Sequence, residues 1–313
     1  MSEFPSGCLG KLPLHGDFIR YNAAGAEINE LDQWIQEGIY QGYNDLGSRW
    51  DSTFDAAPPA RFIYAAPRTQ RVLAGLFKPS VDKAGRRYPF LIYTVIEPGA
   101  MGAEIGYLPN AMGPFLARAR ELLEWSESAI NLNTFLSTFE SLRFVPDMAE
   151  ARKEFARFVL SSSAGDYWAN CFGDAAEPRR YAAVGSAVEG AGTRPPGSIA
   201  VRLPFSELDC EPAFWFELSR RLTDGKGLPT LLYWNVSHGD YPARLSIAWG
   251  ELSPRTFLPF VLPTRTSLNI RDLSNAASVD GRWIEYGKAR FDELLSNTSL
   301  KLTDLLQRLP RTR

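Results

Sequence analysis

The run Tyr88-Pro89-Phe90-Leu91-Ile92-Tyr93-Thr94-Val95-Ile96 is apolar almost throughout, yet far too short to span a bilayer. A strand without polar alternation must bury both of its faces, so the sheet that holds it needs a cover on each side. Two more strand-like runs precede it, Arg61 to Ala66 and Val72 to Phe77. Pro67-Arg68-Thr69-Gln70 joins them at hairpin length, which makes that pair antiparallel. Ahead of the strands, Ile28, Leu31, Trp34, Ile35 and Ile39 recur at helical spacing over about Glu27 to Leu46 and form one apolar stripe. Gly7 to Arg20, rich in Gly and Pro, reads as loop and short strand.

The rest of the chain extends this pattern. A helix is predicted from Asn110 to about Ile130, with Phe115, Leu116, Ala119, Leu122 and Leu123 on one face, and others over Asn133 to Arg143 and Ala149 to Leu160. Ser161 to Gly197 is rich in Gly, Pro and Ser, with Arg194-Pro195-Pro196-Gly197 as its clearest breaker, and reads as a domain boundary or a long surface excursion. Pro212 fits the first turn of a helix carrying Phe214, Trp215, Leu218 and Leu222. Strands follow at Thr230 to Val236 and Ala243 to Trp249, joined around His238-Gly239-Asp240; in the second, Leu245, Ile247 and Trp249 alternate with Ser246 and Ala248. Helices are expected at Pro254 to Val261 and Lys288 to Leu309, the latter with Asn297-Thr298-Ser299 as a candidate break. Helix-then-hairpin thus occurs in each half, although identity between the halves is too low to define a repeat. The expected architecture is an α/β fold, with helices burying their stripes on a mixed, largely antiparallel central sheet. Residues 1–145 form an N-terminal region, and residues 146–313 a helical and hairpin region packed on the same sheet or as a closely associated subdomain.

Composition narrows the function by exclusion. Lys+Arg 34 against Asp+Glu 36 gives a net charge of −2 and a pI near 5.9, unlike a nucleic-acid binder that relies on a basic surface. Residues 1–150 carry 13 basic and 18 acidic side chains, or −5, and the remainder 21 and 18, or +3. Cys8, Cys171 and Cys210 form no CxxC pair and suit reduced thiols in the cytoplasm. Met-Ser-Glu-Phe-Pro at the N-terminus is not a signal peptide, and no membrane insertion is expected. The Asn-x-Ser/Thr matches at Asn235 and Asn297 then carry no meaning. None of Gly10-Lys11, Gly225-Lys226 or Gly287-Lys288 is followed by Ser or Thr, so no Walker-type loop exists; G-x-G-x-x-G and G-x-S-x-G are also missing. His15 and His238 lack ligand-spaced companions, and Cys8, which would sit near His15 in sequence, reads as a buried strand thiol rather than a nucleophile. Trp34, Trp215, Trp234 and Trp249 all fall in apolar periodic segments and read as core. No catalytic residue, metal or cofactor is expected.

Two loops stand out: Gly10-Lys11-Leu12-Pro13-Leu14-His15-Gly16-Asp17-Phe18-Ile19-Arg20, and Lys78 to Phe90, which contains Pro79-Ser80-Val81-Asp82-Lys83-Ala84-Gly85-Arg86-Arg87-Tyr88-Pro89. Each packs glycine, proline and both signs of charge into a short turn, so each holds one shape. Lys11, Pro13, Gly16, Asp17, Ser80, Asp82, Gly85, Arg86 and Arg87 are the candidate site residues. They can present a recognition surface, or their charges can satisfy each other across the two loops, for example Asp17 with Arg86 or Arg87. A phosphate-handling enzyme using Lys11, Asp17, Asp82 and Arg86 is a further alternative.

The runs G-K-L-P-x-x-G-D-F-I-R at 10–20 and P-S-V-D-x-x-G-R-R-Y-P at 79–89 together resemble the TagF (ImpM) family of type VI secretion-associated proteins. The likeness extends over about Gly7 to Phe144, including Trp34 and Trp50, with a weaker echo over Leu231 to Leu262. It implies a three-layer α/β/α sandwich without established catalytic residues. It further implies a cytoplasmic post-translational repressor that binds a forkhead-associated-domain scaffold protein of the secretion system; a structural or assembly-chaperone role in that machine is the alternative. The PP2C-type phosphatase domain fused to some members has no counterpart here.

Overall fold

The computed structural model describes residues 3–192, 198–223, 225, 227–265 and 267–309; the 194–197 breaker lies outside them. Among the described residues ten strands form one sheet: β1 (Phe4–Gly10), β2 (Ile19–Tyr21), β3 (Ala60–Ala65), β4 (Val72–Lys78), β5 (Phe90–Ile96), β6 (Arg143–Phe144), β7 (Ile199–Pro204), β8 (Leu231–Asn235), β9 (Arg244–Trp249) and β10 (Arg271–Asp272). Their order is β10-β7-β9-β8-β3-β4-β5-β1-β2, with β6 also on β1. Every pairing is antiparallel except that of β10 with β7. The halves of the chain meet at β3 and β8, in the register Arg61 with Trp234 and Ile63 with Leu232.

Alternation along the strands fills two cores. Ile63, Val72, Ala74, Ile92, Leu232 and Ile247 point to one face, and Phe62, Tyr64, Leu73, Leu91, Tyr93 and Tyr233 to the other. The second face is covered by α1 (Ala26–Leu46), α2 (Trp50–Asp55) and α10 (Phe257–Val261). The first is covered by α3 (Leu108–Ala111), α4 (Gly113–Ser126), α5 (Leu132–Phe139), α6 (Met148–Ser161), α7 (Ala164–Phe172), α8 (Arg179–Gly192), α9 (Glu211–Leu222), α11 (Gly281–Leu295) and α12 (Leu302–Arg308). This is the expected three-layer α/β/α sandwich, and β5 is covered on both faces as its apolar run requires. Trp34, Trp215, Trp234 and Trp249 are all buried in it. The helices α1 and α9, which precede the two hairpins, lie on opposite faces, so the halves are not copies of one unit.

Three expectations change. The short strand expected within Gly7 to Arg20 is longer and starts earlier, as the seven-residue β1 from Phe4 to Gly10. Within the span from Ser161 to Gly197, residues 161–192 are not an excursion: they hold α7, started by a Ser163–Asp166 capping box and ended at Gly173 with φ 86°, and α8, which is largely buried. The glycines of α8 serve close packing: a Cβ on Gly185 would come 3.1 Å from the Cα of Gly287, and one on Gly190 would be 2.6 Å from the Trp249 ring. Small residues that read as a breaker are a helix seam. The helix expected over Lys288 to Leu309 starts earlier, at Gly281, and breaks at residues 296–301 into α11 and α12. The strand β7 went unread. It carries Arg202, whose guanidinium is buried on Asp272 at 2.5 Å and also donates to the carbonyl of Pro259 at 2.9 Å.

Residues from the two ends of the chain share the α1 layer. Trp34 Nε1 donates to the carbonyl of Ser253 at 3.0 Å, and its ring meets those of Phe257 and Phe260 at 5.3 and 6.1 Å. A Cβ on Gly38 would sit 2.2 Å from Cβ of Phe257. Gly38→Ala is therefore expected to lower stability by about 1–2 kcal/mol, because overpacking of roughly 1–3 kcal/mol exceeds the helix-propensity gain of up to ~1. Urea unfolding measures it, and a raised midpoint would show that the seam yields.

Candidate functional site

β1 runs antiparallel to β5, with Leu9 opposite Leu91, so the loop after β1 and the loop before β5 emerge at the same end of the sheet. Gly10 makes their close approach possible: its φ is 127°, and a Cβ there would lie 1.9 Å from the carbonyl of Pro89.

The second loop folds around Asp82, whose side chain is 0% exposed. Oδ1 accepts from the backbone N–H of Ala84 and of Arg86, each at 2.9 Å; Oδ2 accepts from Lys11 Nζ at 2.8 Å and Arg86 Nε at 2.7 Å. Four donors thus occupy the four lone-pair positions of one carboxylate. Burial alone would raise the Asp82 carboxyl, but Lys11, Arg86 and the two N–H groups outweigh it and hold the group well below the usual carboxylate range. Gly85, at φ 79°, closes the turn. The loops are further joined by the Lys83 N–H on the His15 carbonyl at 3.0 Å and by Arg86 Nη2 on the carbonyl of Gly16.

Arg87 turns away from this centre. It takes Asp55 of α2 in a two-pronged bond, at 2.8 and 2.6 Å, and Asp51 at 2.9 Å. The suggested pairing of Asp17 with Arg86 or Arg87 therefore does not form: both arginines have other partners, and Asp17 is exposed with no hydrogen bond or ion pair among the described residues. Pro13 and Ser80 line a groove of about 230 Å³ beside the loops, together with Leu12, Pro79 and Val81. Lys11, Gly16, Asp82, Gly85 and Arg86 are thus brought together, Pro13 and Ser80 border a groove, and Arg87 and Asp17 point elsewhere. Lys11, Asp82 and Arg86 are closed on one another while Asp17 lies exposed and apart, so the four residues do not converge on one open site for a phosphate or magnesium ion. Cys8 is fully buried in β1, and burial pushes its thiol far above the ordinary value, so no thiolate is available for the Cys8–His15 pairing. Among the described residues, no group of three or more His, Cys, Asp or Glu is placed to hold a metal ion.

Sequence reasoning missed the supports behind the loops. Asp32, buried in α1, accepts from the Tyr88 hydroxyl and from Arg20 Nη1 at 3.2 Å, and Arg20 also reaches Asn29 at 2.7 Å. A usable signal existed: Asp32 lies between Ile28 and Ile35 on the apolar stripe, where an acid needs a buried partner. Asp51 and Asp55, one helical turn apart just before a strand, were the matching signal for Arg87.

The TagF N-terminal domain family, type VI secretion system-associated, matches residues 7–142, which hold both motif loops. Residues 7–142 are a TagF N-terminal domain. The chain is accordingly a type VI secretion-associated protein. The TagF domain contributes β1 to β5 and α1 to α5, and the later strands extend its sheet. The fold is similar to that of PA0076 from Pseudomonas aeruginosa PAO1, known from a 2.05 Å crystal structure, with a TM-score of 0.52 and 15% identity over 84% of this chain and 96% of that one. No curated protein matches. Among the described residues no helix is long and apolar enough to cross a membrane.

Asp82→Asn is expected to cost roughly 1–3 kcal/mol at neutral pH, since Lys11 and Arg86 lose their acceptor while part of their charge resolvates. The folded Asp82 carboxyl lies below its unfolded value of about 3.9, so its contribution is present above that pH and fades as pH falls through the lower folded value. Urea midpoints of the two proteins should accordingly diverge at pH 7 and converge towards pH 2; a constant gap would show that charge is not the origin.

Proposed function

We propose that this protein is a cytoplasmic post-translational repressor of type VI secretion that works by binding a forkhead-associated-domain scaffold protein, and not by catalysis. The observation that carries the reading is the saturation of Asp82: the motif charges are spent on locking two loops into one rigid platform. A platform fixed in this way suits recognition, because little conformational entropy is lost when a partner docks. Its outward features are the Asp17 carboxylate, the partly exposed Arg86 and the apolar groove edged by Pro13 and Ser80. Type VI association supports the setting, and the resemblance noted in the sequence supports the partner.

The test is capture of the cognate forkhead-associated-domain protein by the purified full chain. Asp17→Lys should weaken capture about tenfold or more, a loss of ~1.4 kcal/mol, with an unchanged melting temperature, because Asp17 has no partner to lose. Reversing Arg87 is unsuitable, since it would set like charges against Asp51 and Asp55. Failure to capture the scaffold, together with secretion unchanged when the gene is deleted, would overturn the proposal; stoichiometric co-purification with sheath or baseplate components would replace it with an assembly role.

A further inference from the structure

Where β3 meets β8, the helices on the first face part and leave a cavity of about 580 Å³, bordered by α3 and α4 on one side and by the start of α9 on the other. Its floor is Arg61 of β3 with its register neighbours Leu76 and Trp234. The two apolar side chains flank the arginine stem, as such stems favour. The guanidinium is half-buried, and among the described residues it makes no hydrogen bond or ion pair. Burial lowers its pKa, and Asp209 and Glu207 attract it only from beyond bonding distance. A partly desolvated guanidinium that faces a cavity with no protein acceptor in reach is placed to take a carboxylate from a ligand.

The remaining lining defines what that ligand must be. Arg120 is paired with Glu124 at 2.9 Å, and Glu121 lies 3.8 Å from Arg118. Glu154 and Asp209 have no hydrogen bond or ion pair among the described residues, so the open charges are one guanidinium and two carboxylates. A phosphate dianion would meet Arg61 but also two carboxylates. A molecule with a carboxylate at one end and a cation at the other meets every open group.

We propose that this cavity binds a small zwitterion, its carboxylate held in the fork of Arg61 and its amine or guanidinium held by Glu154 and Asp209. The volume suits a small molecule or the last residue or two of a chain. Free basic amino acids and the free C-terminus of a basic peptide share this chemistry. The site is separate from the motif-loop platform and does not depend on the scaffold-binding reading.

Isothermal titration of the full chain tests it with L-arginine, a tetrapeptide ending in a free arginine carboxylate, the same peptide amidated, agmatine and inorganic phosphate. Binding by L-arginine alone marks an amino-acid site; binding by the free-ended peptide and not the amide marks a C-terminus site. Agmatine and phosphate are expected to bind at least about tenfold more weakly. Arg61→Met should lose at least about tenfold in affinity while its ligand-free melting temperature stays the same or rises, because an unpaired charge is removed. Arg61→Lys keeps the charge without the fork, should also weaken binding, and serves if the methionine variant does not fold. Glu154→Gln with Asp209→Asn should weaken L-arginine more than acetate. Equal binding of agmatine, undiminished binding by both Arg61 variants, or no heat from L-arginine or the free-ended peptide overturns the proposal.

Discussion

The pairing of β3 with β8 is the constraint on which the molecule rests. Without it, the five strands of the TagF N-terminal domain would end on β3, exposing a row of unpaired backbone groups beside Phe62 and Tyr64. With it, a sheet grown from both halves has its middle strands covered on each face, which explains why β5 needs no polar alternation and why helices from distant parts of the chain share one layer. The pairing also brings Arg61 against Trp234, so one register fixes the fold and places the Arg61 guanidinium in the cavity above it.

Charge is used in two opposed ways at this end of the sheet. At the motif loops it is closed. Asp82 is fully solvated by its own chain, Arg87 is clamped by Asp51 and Asp55, and Asp32 gathers Arg20 and Tyr88 behind them. Such a network fixes geometry and leaves little to react. At the cavity charge is open: among the described residues the half-buried Arg61 and the exposed Glu154 and Asp209 have no hydrogen bond or ion pair, and they share a small volume. Satisfied polar groups favour one shape, and unsatisfied ones favour a ligand.

The layered fold was legible because each layer obeys a simple period: the stripe of α1, the alternation of β9 and the unbroken run of β5 each imply the neighbour they need. Both motif loops were visible as well, from their density of glycine, proline and charge. Their wiring was not, because ion-pair choice depends on directions that a linear spacing does not carry. Asp17 sits one residue from Gly16, whose carbonyl Arg86 meets, yet the side chain itself points to solvent. The reading of residues 161–197 went wrong for a related reason: glycine and alanine in α8 answer to α11 and Trp249, not to a turn, and composition cannot distinguish a flexible backbone from one packed so closely that no side chain fits. Arg61 gave no signal at all, since a single arginine at the start of a strand is ordinary until its surroundings are known.

The contact of Trp34 with Ser253, Phe257 and Phe260 gives the order of synthesis a meaning. The ribosome releases α1 more than two hundred residues before the segment that covers its stripe. Throughout that interval Trp34, the bare seam at Gly38 and Gly42, and the open edge of β3 face solvent together. The last surface of residues 7–142 therefore closes only when the segment from Ser253 to Phe260 arrives. A truncation near residue 142 would leave a sticky half-sheet, with the nascent chain's need for protection made permanent.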